Sequence, residues 1–444
     1  MEQSVFDTNR LVPTYFKQAL PVVMGSVVTV IYNLVDTFFI AQTGNAALVA
    51  GVSICGPVFI ILMAFGNIYG QGASSLVSRL LGRAEHDRVG RISSFAFYFA
   101  ILTGLVLAVP MLLFRYPVLR LLGSDADTLP YARQYYTILA VGAPVVILNF
   151  IHSNLLRCEG MSTLSMLGTL GGAVVNIILD PIFISTLGWG AAGAAAASVL
   201  GYIFSAAFFL VIVLRRSRYL SIDPRRWRIS GGEFRQILTI GITVAVSNLA
   251  SSVSMIFMNQ FLLRYGAEKI AAMGIVGKIN MFAQMVLVGF SFGGMPLFGY
   301  LYGAGEIKKM KRLLRFCLLY LAALSLLLTA VLFIAAPNLV RIFMDSGSIV
   351  ADGTAMLRWQ VAGAVFAGVV MLLTCVFQGT GQAGPALILS LSRQGILYLI
   401  VLAAAVWIAE YQGFLASQAV ADLLSAALAI LMYARTFGKR EDHI

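Results

Sequence analysis

Asp36 and Asp180 are the residues best placed to do chemistry, because each interrupts a run otherwise apolar enough to lie in a bilayer. Asp36 sits in 32-YNLVDTFFIAQTG-44 and Asp180 in 174-VVNIILDPIFI-184. An acid at the centre of a membrane helix costs on the order of ~2.5–3.5 kcal/mol on insertion scales, so two of them call for a role. Asn176 precedes Asp180 by four residues, which puts both on one face of a helix. Pro181 follows directly and frees a carbonyl on the preceding turn. At about 1.5 Å per residue, Asp36, Asp180 and Ser198 fall in the outer half of the membrane, within one or two turns in depth. Two carboxylates at a shared depth can take a proton from one aqueous phase and release it to the other. With Asn176 and Ser198 their oxygens also form a ligand set for Na+, a hard cation. The bland alternative is that both acids only hydrogen-bond neighbouring helices.

The elements that must position them are membrane helices. Of 444 residues, 59% are hydrophobic and 11% charged, against about 25% charged in soluble domains. Twelve apolar spans are expected, from 15–40 to 413–434, each near the ~20 residues that cross a bilayer. An even count puts both termini on one side. Most of the 31 Lys and Arg residues fall in segments facing that side, at 79–91, 215–235, 308–315 and 435–440. The positive-inside rule makes that side cytoplasmic. The net charge of +12 is thereby a matter of topology, and nucleic acid is not needed as a partner. The chain divides into an N-terminal six-helix bundle (1–214), a basic linker (215–235) and a C-terminal six-helix bundle with a short cytoplasmic tail (236–444). The linker reads first as a connection obeying the orientation rule and second as a segment that attracts anionic head groups.

Several classes drop out. Cys55, Cys158, Cys317 and Cys375 have no metal or redox spacing and read as reduced core residues. The start, MEQSVFDTNR, lacks the features of a cleavable signal, so the first span is expected to stay. No metalloprotease, phosphate-loop or nucleophile-elbow motif occurs, so the chain is not read as an enzyme and needs no cofactor. With no nucleotide-binding segment, any transport must draw on an ion gradient unless a partner supplies the energy.

A shift of 223 residues aligns the halves, setting Gly51 on Gly274 and the basic segment 82–92 on 305–315. Under that shift Asp36 falls on Asn259, so the carboxylate belongs to the first half alone. Repeats of this kind place transporter sites within or between the halves. The seventh and eighth spans carry Met255, Met258, Met281 and Met285 with Asn259 and Gln284. Polarizable Met side chains suit a pocket that accepts many shapes, and with Asn33 these are candidate substrate-cavity residues. Arg393 and Asp422, early in the last two spans, read as a structural pair.

In 20-LPVVMGSVVTVIYNLVDTFFIAQTG-44, 157-RCEG-160 and 174-VVNIILDPIFI-184 the chain resembles the multidrug and toxic compound extrusion (MATE) antiporters. The resemblance implies two six-helix bundles, related by pseudo-two-fold symmetry around a central cleft. It implies monomeric, alternating-access export of lipophilic, often cationic compounds in exchange for H+ or Na+. It assigns ion coupling to Asp36, Asn176, Asp180 and Ser198, and a hinge in the first helix to Pro21. The chain lacks the acids that some members carry in spans seven and ten, which moves weight to the first bundle. The nearest rival is a flippase for lipid-linked oligosaccharide, which would be expected to line its cavity with several cations; here only Lys278 and Arg393 qualify.

Overall fold

A computed structural model describes residues 5–344 and 346–438; Lys439 and Arg440 of the basic tail lie outside them. The described residues form helices and connecting turns, with no strand among them. The membrane helices are α1 (Leu11–Gln42), α2 (Ala46–Gly82, interrupted at Cys55), α3 (His86–Leu113), α4 (Leu129–Cys158), α5 (Ser162–Thr186) and α6 (Gly190–Arg215). They continue as α7 (Gly231–Leu262), α8 (Glu268–Gly303), α9 (Ile307–Phe343) and α10, the pair Gly347–Ala362 and Ala364–Gly379 bent by 44°.

The remaining apolar stretch, Ala383–Phe437, is 55 residues long, about 80 Å of straight helix and far more than one crossing needs. It is two helices in contact end to end. Ala409 and Glu410 leave helical geometry, Glu410 at φ 45° and ψ −120°. A Cβ on Gly413 would stand 1.8 Å from the Ala405 carbonyl oxygen. The chain therefore doubles back there, giving α11 (383–408) and α12 (411–437), twelve membrane helices among the described residues. α11 is itself broken at Gly395. Ser251 and Ser254 of α7 donate to the side-chain and main-chain oxygens of Gln394 at that break, at 2.6 and 2.8 Å, so its loosened acceptors are met.

The chain packs as two compact units, and the divisions run through helices. One unit holds Met24–Gly241; the other holds Thr8–Val23 together with the chain from Ile242 onward. The first third of α1 thus belongs to the second unit, and the first third of α7 to the first. The sequence-based boundaries at 214 and 236 follow the loop; the packing follows the helix faces. In the second unit the Tyr15 hydroxyl donates to the Phe290 carbonyl at 2.6 Å, and Phe16 lies edge-on to Phe290, Phe316 and Tyr320. Gly289 and Gly293 of α8 let α1 approach so closely that a Cβ on Gly293 would sit 2.5 Å from Ala19 Cα. In the first unit Gly72 of α2 meets α7 in the same manner, 2.1 Å from a built Cβ to the Ile237 oxygen. Small residues at such crossings let helices gain dispersion contact where lipid offers no hydrophobic drive.

The linker between α6 and α7 is pinned to the first unit. The Glu159 carboxylate, within the RCEG stretch, accepts from the Ser217 hydroxyl and from the Tyr219 and Leu220 amides at 2.7–2.9 Å. Tyr98 donates to the Ile222 carbonyl at 2.9 Å, and His86 stacks on Tyr219. Arg88 pairs with Glu233 at 2.9 Å, where α7 begins.

Candidate functional site

The polar site lies wholly within the first unit and owes its geometry to glycines. α5 and α6 cross at Gly172 and Gly201, where a Cβ on Gly201 would come within 2.6 Å of the Gly172 oxygen and 3.2 Å of Asn176 Cβ. One turn beyond Gly172 stands Asn176, and three residues before Gly201 stands Ser198. The Asn176 amide donates to Ser198 Oγ at 3.3 Å and to Asp180 Oδ1 at 3.4 Å. Tyr32 of α1 reaches the same serine, with its hydroxyl 3.4 Å from Ser198 Oγ. Asp180 ends the α-helical part of α5, and Pro181–Thr186 continues it as a π-turn. Such turns often mark working sites, because they re-aim the side chain before them.

Asp36 and Asp180 stand close enough for a hydrogen bond between their carboxyl groups. Three buried acceptors in the site have no partner among the described residues: Asp36 Oδ1, Asp180 Oδ2 and Asn176 Oδ1. Two ionised carboxylates cannot bond to each other, since both only accept. A single added proton would meet two of these acceptors, the oxygen that carries it and the one it faces, and a cation could draw on more; burial without partners is costly. Asp180 is fully buried, and Asn176 and Ser198 are nearly so. A narrow cavity of about 50 Å3 adjoins them, lined among others by Tyr32, Asn149, Thr169 and Tyr202. Its volume leaves room for water, which needs about 10–15 Å3 per molecule.

All four residues expected to couple ions are in one cluster. Sequence reasoning missed Tyr32, although it precedes Asp36 by four residues and so shares its helix face. Asn149, whose buried amide nitrogen lacks a partner among the described residues, and Thr169 carried no local signal. Pro21 lies inside α1, which runs as one helix from Leu11 to Gln42. Pro21 is two residues before the point where α1 passes from one unit to the other.

The expected substrate-cavity residues differ in burial. Asn33 is exposed and turns its amide back to the Thr29 carbonyl at 2.8 Å. In the second unit Met255 and Met281 are exposed, Met258 packs against the apolar core, and Met285 and Asn259 are half-buried. Gln284 accepts from Arg393 Nη2 at 3.3 Å, and Arg393 Nε donates to Asp422 Oδ1 at 3.0 Å. Gln418 donates to that same oxygen at 3.2 Å. Arg393 and Asp422 are thus the buried structural pair that their positions suggested, and Lys278 is exposed.

Comparison with known proteins matches the chain to the MatE family model twice, over residues 21–182 and 243–404. The two matches are displaced by 222 residues (243 against 21), within one residue of the repeat read from the sequence. A multidrug export protein, MepA, of Staphylococcus haemolyticus is 29% identical over 96% of this chain and 94% of its own length. A crystal structure of MATE in the straight conformation superposes with a TM-score of 0.92 at 23% identity, each chain covered in full. An outward-facing multidrug resistance MATE family transporter of the MOP superfamily gives 0.90 at 24%, covering 97% of this chain and 96% of that one. With both repeats matched by the family model and twelve helices in the same fold, the chain belongs to the MATE family of membrane transporters.

Proposed function

We propose that this protein is a multidrug exporter that exchanges lipophilic, often cationic compounds for H+ or Na+ across the cell membrane. The observation that carries this reading is the set of three unpartnered acceptors on Asp36, Asp180 and Asn176, buried together in the first unit. An incoming ion supplies what those oxygens lack and lowers the site's negative charge. That change weakens its hold on a bound cation, and release outward follows. An inwardly directed potential of 100 mV adds ~2.3 kcal/mol for each charge that moves. The exporter name of the staphylococcal relatives supports the substrate class. In this reading the chain works as a monomer with both termini in the cytoplasm, and Pro21 lets α1 flex when the ion binds.

The oligosaccharide-lipid flippase reading weakens, because Asp422 neutralises the charge of Arg393 and leaves Lys278 as the one remaining candidate cation that the sequence suggested. The deciding experiment is efflux of a fluorescent organic cation from proteoliposomes under an imposed pH or Na+ gradient. Transport by the wild-type chain under one gradient and its loss in Asp36→Asn is the expected result. A folded wild type that moves no cation under either gradient overturns the proposal.

A further inference from the structure

A second concavity lies in the unit that does not hold the carboxylates. It opens at the start of α1 and the first turns of α9, both within the second unit, and encloses about 570 Å3. Arg10, Lys309 and Arg312 line it. Lys309 shares its charge with Glu306 and donates to Thr8 at 3.0 Å, joining the approach of α1 to α9. Arg312 is exposed, and neither helix carries an acid in its first turn. The rest of the wall is apolar: Leu11, Leu313 and Phe316 lead away from the cations along the two helices.

We infer that this concavity at the foot of α1 and α9 binds the phosphodiester headgroup of an anionic phospholipid. Both helices enter the bilayer from it, so the cations sit at headgroup level and the apolar wall runs where acyl chains begin. Basic pockets between membrane helices hold anionic head groups in this way. The volume falls in the ~300–1,000 Å3 range of organic-ligand sites, more than a lone inorganic anion fills. A headgroup bridging Arg10 and Arg312 would tie the base of α1 to α9 from outside the protein. This assignment does not depend on what the transporter carries, and its test measures no transport.

The test uses the full chain in micelles of neutral lipid, with phosphatidylglycerol or phosphatidylcholine added. Native mass spectrometry counts retained lipid, and the thermal midpoint is read in parallel. The wild type should retain phosphatidylglycerol preferentially and melt higher with it. Arg10→Gln/Arg312→Gln should bind it about 30-fold more weakly, equal to ~2 kcal/mol for two charges. Arg225→Gln/Arg226→Gln, which removes the same charge from the linker, should leave retention within about twofold, below ~0.5 kcal/mol. Unchanged retention in the first variant, or equal loss in the second, overturns the inference. So does an equal thermal shift from inorganic phosphate without anionic lipid, which would assign the pocket to a soluble anion. Should the first variant not fold, photoactivatable phosphatidylglycerol on the wild type decides instead. Label on peptides 8–13 and 309–316 supports the site, and label elsewhere refutes it.

Discussion

The two repeats have the same frame and opposite interiors. At the 222-residue displacement of the family matches, Asp180 falls on Leu402 and Asn176 on Tyr398. Both of those belong to the buried apolar cluster of the second unit. Asp36 falls on Met258, or one residue on at Asn259, and Ser198 on Val420. Where the first unit leaves carboxylate oxygens unpartnered, the second has no carboxylate at the equivalent positions and buries Tyr398 and Leu402 in its apolar core. The second unit does bury charge, at Arg393 and Asp422, but cancels it internally. The duplicated scaffold thus pairs its buried charge in one copy and leaves buried carboxylate oxygens without partners in the other. The charges that are easiest to satisfy are structural, and the unsatisfied ones are the candidates for work.

This contrast can be broken experimentally. The largest effect is expected at Asp36 and Asp180: Asn at either position should reduce gradient-driven export to the liposome background while the protein still purifies as a folded species. Adding Asn259→Asp to Asp36→Asn should not restore export, and rescue would show the two units to be interchangeable. Next comes the second unit's pair. Arg393→Gln leaves Asp422 unpaired, and the expected loss is ~3–5 kcal/mol of stability, seen as a lower unfolding midpoint. The double change Arg393→Met/Asp422→Leu should recover most of that loss and retain export. Loss of export in a stable double variant would make the pair functional and end the contrast.

Smaller effects test the geometry of the first unit. Gly201→Ala pushes a methyl into the Gly172 carbonyl, and overpacking of that kind costs typically ~1–3 kcal/mol. Unfolding midpoint and export should fall together, because the crossing that positions Asn176 and Ser198 is forced apart. Tyr32→Phe removes one long hydrogen bond to Ser198, worth about 0.5–1.5 kcal/mol. Export should drop by a few fold and not vanish, as measured by initial efflux rates across drug concentrations.

Much of this was legible because burial in lipid is so restrictive. Asp36, Asn176, Asp180 and Ser198 stood out since a bilayer tolerates few polar side chains, and their shared depth was simple arithmetic along helices. The twelve membrane helices followed from apolar length, including the pair that the structure runs together at Ala409–Glu410. What could not be read depended on contacts between distant segments. Gly172 and Gly201 look like any of the chain's 42 glycines until the two helices are laid against each other. Asn149 and Thr169 join the site only through that crossing. The methionines of α7 and α8 were grouped by composition alone, and they differ in burial: Met258 packs against the core, while Met255 and Met281 are exposed.

The exchange of helix segments also bears on how the chain is made. Tyr15 and its acceptor Phe290 are 275 residues apart in sequence. At ~5–20 residues per second a ribosome needs roughly 15–55 s to span that distance. Throughout this interval residues 11–23 of α1 wait for the unit in which they pack, so the N-terminal half emerges before that unit is made. Cutting the gene within the 216–230 linker should therefore yield two fragments that are each unstable alone. Co-expressed, they should recover each other, with every fragment supplying the strip of helix that the other was born without.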